Sequence, residues 1–216
     1  MDARQIQNLL GHFGLTGDII RVDNYKPDLA GYRAAFFVGT TSGTRLPPAF
    51  LDEVRRSQKP FCWIGRHIGM LLDTLQVQRQ FGFHYLDYRD DLEFRQVQYK
   101  SVTLPKEDPD LNLVSVSDPA QVEVLATAHS TQSGSKPYAL RHNRFWYFAD
   151  TPFSFAEEGG RYLVFCDLLH DILEIQHPRS NARWCVSRMS ARKSTPAICV
   201  RSQTCSRVAK SHFRWA

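Results

Sequence analysis

The stretch AAFFVGTTSGTRLPPAFLDEVRRSQKPFCWIG, residues 34–65, decides the fold. It opens on Ala34-Ala35-Phe36-Phe37-Val38, a continuous apolar run of the kind found in a strand buried on both faces. A small polar loop follows, Gly39-Thr40-Thr41-Ser42-Gly43-Thr44. Pro47 and Pro48 then suit the first turn of a helix carrying Phe50, Leu51 and Val54. Phe61-Cys62-Trp63-Ile64-Gly65 is a second buried run, and Ile68, Leu71, Leu72 and Leu75 mark a helix after it. Strand–helix alternation with short loops predicts an α/β fold: a parallel sheet with helices on both faces.

Toward the N-terminus, Ile6, Leu9, Leu10 and Phe13 recur at helical spacing and Gly14 closes the helix. A short strand is expected over Asp18 to Val22, then a turn at Tyr25-Lys26-Pro27-Asp28. A doubly wound unit normally opens on a central strand, whereas this chain opens on a helix. Either the first strand precedes Met1, or the sheet is built without it. Toward the C-terminus the period changes from 3.6 to 2 at about Phe81. Phe94 to Val102, Leu113 to Val116 and Val122 to Leu125 alternate, punctuated by Asp108-Pro109, Asp118-Pro119 and Ser133-Gly134-Ser135. Arg144-Phe145-Trp146-Tyr147-Phe148 is a further strand, and these together predict an antiparallel β extension of the sheet. A closing helix is expected from about Glu157 to Leu173, with Glu157 and Glu158 favouring its dipole and Tyr162, Phe165, Leu168, Leu169 and Ile172 on its buried face. The domain then spans residues 1–178, with 1–80 as the parallel part and 81–178 as the extension and closing helix.

After His177-Pro178 the pattern stops, and residues 179–216 read as a disordered tail outside the fold. The chain's formal charge of +5 points to an anionic partner such as nucleic acid until the charge is located. From Arg183 onward there are eight Lys or Arg and no Asp or Glu, so the remainder of the chain is at −3 and nucleic acid is not an expected partner. Three of the five cysteines (Cys185, Cys199 and Cys205) also lie in the tail, at spacings that match no common zinc pattern. Cys62 and Cys166 sit in apolar runs and read as buried side chains. No apolar run approaches the roughly 18 residues that span a bilayer. The N-terminus lacks the features of a signal peptide, so the chain reads as cytoplasmic.

The Gly39–Thr44 loop follows the C-terminal end of a strand, where open α/β sheets bind ligands. With no Lys and no G-x-G-x-x-G it is a poor phosphate cradle. Gly39, Thr40 and Thr41, together with Arg66 and His67, are instead candidates for contact with a sugar or polymer. Asp167, His170 and Asp171 share a helix face and imitate a metal-ligand set, but a His beside solvated acids is common at a helix C-terminus. No catalytic or metal-ligating residue is expected in this chain.

Several stretches together resemble one bacterial family, the polysaccharide-deacetylase-like proteins. They are Leu9 to Phe13, Tyr25-Lys26-Pro27, Phe37 to Thr41, Leu46 to Asp52, Trp63-Ile64-Gly65, Val122 to Ala126, Phe145 to Asp150, Pro152 to Phe155 and Asp167 to Leu173. The resemblance implies a flavodoxin or class I amidotransferase-like front section, normally followed by a metal-dependent deacetylase barrel. In that barrel a divalent metal such as zinc would lower the pKa of a bound water beside a carboxylate base. The barrel's first strand typically carries an Arg-Ile-Glu-Asp-Val-like motif, where this chain has Trp184 to Ser190. Read one frame over, Trp184-Cys185 forces a valine codon, Ser187 to Ser190 permit Ile-Glu-Asp-Val, and Trp215-Ala216 forces glycine. The expectation is therefore a frameshift between about Pro178 and Arg183 that removes the barrel; the gene's nucleotide sequence tests it. Amidotransferase chemistry needs a Cys at a strand-to-helix elbow, whereas Cys62 lies inside its strand, so that activity is not expected to transfer. The resemblance thus implies a non-catalytic accessory domain with no cofactor of its own and a polysaccharide or cell-envelope glycan as partner. Its closing helix would need the absent barrel as cover, with low solubility as the consequence. The alternative is a stand-alone small α/β enzyme or ligand-binding module.

Overall fold

The computed structural model describes residues 2–157, 159–175 and 199–202. The two apolar runs form β2 (Ala35–Gly39) and β3 (Phe61–Gly65), each buried at every position, after helix α1 (Asp2–Gly11) and a short β1 (Leu15–Asp18). Helix α2 (Pro48–Arg56) joins them with Pro48 in its first turn. β2 and β3 are parallel, with Phe36 opposite Cys62 and Phe37 opposite Trp63. β10 (Phe145–Phe148) joins this pair as a third parallel strand, Trp146 opposite Cys62 and Tyr147 opposite Trp63.

The parallel part is therefore three strands wide, and the run expected to belong to the antiparallel extension completes it. β10 also pairs antiparallel with β9 (Gly134–His142), a strand absent from the sequence-based expectation. Beyond it come β8 (Glu123–Ser130), β5 (Gln96–Tyr99) and β6 (Val102–Pro105), all antiparallel, in a seven-stranded sheet of order β2-β3-β10-β9-β8-β5-β6. A separate ribbon pairs β4 (Phe83–Arg89) with β7 (Leu111–Val116). The fold is thus a mixed α/β sheet, parallel at one end and antiparallel at the other.

Alternation along the strands fixes the two faces. Phe37, Phe61, Trp63, Phe145 and Tyr147 share one face, where Phe50 of α2 stacks over Trp63 at 6.0 Å and Phe83 of β4 lies 6.0 Å from Tyr147. Phe36 and Phe148 take the other, covered by Phe165 of α5 (Tyr162–Ile172) at 6.2 and 5.3 Å. Both faces are closed by helices, as the alternation requires. The apolar face of α5 is spent on this chain's own sheet, and Leu163, 38% exposed, is what it leaves outside. The helix does not need a further domain to cover it.

Several boundaries differ from the sequence reading. β1 ends at Asp18, and Val22–Asn24 form a 3-10 turn rather than the strand's end. The helix expected through Ile68 to Leu75 is two helices, α3 (Ile68–Leu71) and α4 (Leu75–Phe81). Thr74 breaks it by capping α4, its hydroxyl accepting from Val77 N at 3.3 Å. The alternating stretch Phe94 to Val102 is folded back on itself at Lys100-Ser101, with Lys100 at φ 51°. Helix α5 begins at Tyr162, so Glu157 precedes it and its first turn carries no acidic residue. In the tail, Cys199–Ser202 form β11, antiparallel to β1. A main-chain ladder asks little of side-chain identity, which explains how a segment without a core pattern can pair there. The rest of the expected tail, including Arg183 to Ile198 and Gln203 to Ala216, lies outside the described residues.

The turn of the β5–β6 hairpin is clipped to α5. Tyr99 Oη and Lys100 Nζ donate to Asp167 Oδ2 at 2.6 and 2.5 Å. Partial burial raises the Asp167 pKa, but the bonds from Lys100 and Tyr99 outweigh it and hold the carboxyl below its ordinary value. A depressed carboxylate stabilises the fold above the unfolded value of about 3.9, and this is lost as pH falls through the lower folded value. Asp167 is half exposed, so Asp167→Asn is expected to cost under about 1 kcal/mol at pH 7. The cost should shrink in urea titrations as pH is lowered through that depressed value.

Candidate functional site

A polar pocket of about 200 Å³ lies at the C-terminal ends of the three parallel strands. Gly39 and Thr40 reach it from β2, Gly65 and Arg66 from β3, and Asp150, Thr151 and Ser154 from the segment after β10. Asp108 and Asp110 complete it from the connection between β6 and β7, and Asn112 from β7 itself. This is where the carboxyl ends of parallel strands leave a crevice.

Two glycines allow β2 and β3 to end there. Gly39 pairs with Gly65, and a Cβ on Gly39 would lie 2.5 Å from the Arg66 carbonyl oxygen. A Cβ on Gly65, whose φ is +78°, would lie 2.6 Å from the Gly39 carbonyl oxygen. Arg66 N donates to Gly39 O at 2.9 Å, and Trp63 Nε1 donates to Arg66 O at 2.9 Å. The Arg66 backbone is thus fixed from both sides.

Behind the pocket sits a buried ion network. Asp150, 3% exposed, accepts from Tyr138 Oη at 2.7 Å on one oxygen and from Arg161 Nε at 2.9 Å on the other. Lys106 Nζ also lies 3.0 Å from that second oxygen. Arg161 continues to Glu107 at 2.5 Å and Asp108 at 3.2 Å; Lys106 donates to the Asp108 and Asp110 carbonyls. The Lys106 and Arg161 side chains are both 0% exposed. Burial alone would lower the Arg161 pKa, yet the charge of Asp150, with Tyr138, Asp108 and Glu107, raises it, so the guanidinium stays charged. Burial, then the Asp150 carboxylate, pushes the Tyr138 hydroxyl well above its usual value and keeps it a donor. The carboxylate of Asp150 is saturated by three donors, which commits it to structure.

The five sequence candidates divide. Gly39, Thr40 and Arg66 line the pocket. Thr41 does not: it is exposed, its hydroxyl bonded to that of Thr44 at 2.9 Å. Nor does His67, whose Nε2 donates to the Thr41 carbonyl at 2.7 Å, tying the loop down from outside the pocket. Asp108, Asp110, Asn112, Asp150, Thr151 and Ser154 were not anticipated; the dense charge of Lys106-Glu107-Asp108-Pro109-Asp110 was the available signal, and it read as a turn.

The other groups weighed for chemistry lie elsewhere. Cys62 is wholly buried within β3, and burial pushes its thiol well above the usual value. Cys166 is on α5, its thiol pushed up to about 11 chiefly by burial. Asp167 is occupied by Tyr99 and Lys100, and His170 meets the edge of Phe13 at 5.0 Å. Among the described residues no three His, Cys, Asp or Glu side chains group as a metal site, and no helix is long and apolar enough to cross a membrane. Comparison with protein-family models, curated proteins and solved structures returned no match.

Proposed function

We propose that this chain is the amidotransferase-like accessory domain of a polysaccharide-deacetylase-like protein, and that it binds a glycan unit without turning it over. The observation that carries this reading is the division of labour at the pocket. Its most buried carboxylate, Asp150, is saturated by Tyr138, Lys106 and Arg161, while the lining groups Asp108, Asp110, Asn112 and Arg66 suit hydroxyl recognition. Carboxylates accept from paired sugar hydroxyls and a guanidinium donates to them. Neither Cys62 nor Cys166 lines the pocket, so among the described residues no activated thiol stands beside it. Below the roughly 300–1,000 Å³ of drug-sized sites, its volume suits a single sugar ring. Hydrolysis would belong to the deacetylase barrel, where a zinc-type metal would be held.

The test uses the full chain with acetylated neutral and acidic oligosaccharides and added zinc. Calorimetry is expected to detect binding of at least one, and Asp110→Asn to weaken it about tenfold by removing a charged acceptor. Acetate release above the protein-free control would overturn the non-catalytic reading. Absence of binding across the panel by folded protein would overturn the glycan reading.

A further inference from the structure

We propose that the pocket's ligand is a sugar acid, a polyol ring bearing one carboxylate, and that Arg66 is the group that binds the carboxylate. This rests on the pocket being a glycan site and adds the class of glycan. Among the described residues the Arg66 guanidinium makes no hydrogen bond or ion pair, although Arg66 is one of the residues that line the pocket. It is nevertheless held in place. Its central carbon lies 3.8 Å over the Tyr88 ring, and Tyr88 Oη donates to Asp110 Oδ2 at 3.2 Å. A planar fork of donors, preorganised on an aromatic face beside a polar pocket, matches the two oxygens of a carboxylate.

The rest of the lining selects among anions. The other two cations nearby, Lys106 and Arg161, are fully buried and engaged by Asp150, Glu107 and Asp108. A dianionic phosphate would therefore meet one unengaged guanidinium, Arg66, and the repulsion of Asp110, whose carboxylate lies 3.9 Å from Lys106. A monoanion carries less of that repulsion. Asp108 and Asp110 remain as acceptors for ring hydroxyls: Asp108 Oδ1 accepts no hydrogen bond among the described residues, its Oδ2 being the atom paired with Arg161. One face of the ligand is thus expected to be anionic and the remainder hydroxylic, the pattern of a uronic acid.

Calorimetric titration of the full chain with glucuronate, glucose, glucose 6-phosphate and acetate separates the possibilities. The expected result is glucuronate bound at least about tenfold more tightly than the other three, the scale of a bidentate charged pair. Arg66→Ala should abolish that preference, and Arg66→Lys should lose most of it while keeping the charge. Arg66 is partly exposed, and an unchanged urea midpoint in both variants would show that the fold is retained. Equal affinity for glucose and glucuronate, indifferent to Arg66, would overturn the inference and leave the glycan reading standing. Acetate or glucose 6-phosphate bound as well as glucuronate would overturn it in favour of a general anion site. Failure of every sugar to bind would remove both.

Discussion

Asp150→Ala is expected to cost about 3–5 kcal/mol of folding stability, because it strips the shared counterion from two cations that have no access to water. Lys106 and Arg161 are both fully buried and converge on the same carboxylate oxygen. Removing one partner of a buried ion cluster leaves uncompensated charge, a larger loss than the cluster's net contribution. Against a typical total of about 5–15 kcal/mol, the variant should sit near its unfolding threshold. Urea denaturation measures it, with Glu107→Gln as the control: Glu107 is 25% exposed, and its loss should cost about 1 kcal/mol. If Asp150→Ala fails to accumulate, the double variant Lys106→Met, Asp150→Asn tests the same point. Removing one buried cation should recover stability relative to Asp150→Asn alone. An Asp150→Ala loss no larger than that of Glu107→Gln would show that the network is solvated rather than buried.

Gly65→Ala is expected to cost about 2–4 kcal/mol, the sum of a left-handed backbone penalty and a main-chain collision. Its φ is +78°, and the new Cβ would stand 2.6 Å from the Gly39 carbonyl oxygen, an atom that cannot swing aside as a side chain could. Gly134 separates the two contributions. Its φ is +70°, but nothing lies within 4 Å of a Cβ there, so Gly134→Ala should show the conformational cost alone, about 1–2 kcal/mol. Gly39→Ala lacks the positive φ but has the collision with Arg66 O, and should fall between them. Because β2 and β3 would be forced apart where the pocket begins, Gly65→Ala is also expected to weaken ligand binding, and Gly134→Ala to leave it unchanged. Equal unfolding midpoints for Gly65→Ala and Gly134→Ala would contradict the close approach of the two strands.

The parts of the fold legible in the sequence were those whose cues are local. Phe61–Gly65 and Phe145–Phe148 are apolar at nearly every position, and Pro48 and Gly14 punctuate their helices, so these elements were placed closely. The direction of β10 was not legible, since the run Phe-Trp-Tyr-Phe looks alike whether its neighbour is parallel or antiparallel. Its partner β3 lies more than eighty residues earlier. The hairpin at Lys100-Ser101 was missed because the turn contains no Gly, Asn or Pro, and Lys100 itself carries the positive φ. Alternation simply continues through it.

The site divides along the same line. Gly39, Thr40 and Arg66 followed from the rule that ligands gather at strand C-termini, and the pocket contains them. Thr41 and His67 are their chain neighbours, yet they bond to each other outside it, because the left-handed turn at His67 (φ 70°) redirects the chain after Arg66. Lys106, Asp150 and Arg161 were invisible as a cluster. Each resembles a surface charge in sequence, and only the return of the chain after β6 and after β10 buries them together.

The most direct test of glycan binding without turnover is one NMR titration of isotopically labelled full-length chain with an acetylated acidic oligosaccharide and zinc. It reads the protein's amide shifts and the sugar's acetyl methyl signal in the same tube. The pocket reading predicts that shifts concentrate at Gly39, Thr40, Gly65, Arg66 and Thr151, with the acetyl signal unchanged over a day. Shifts centred away from those residues, or a growing signal of free acetate, would contradict it.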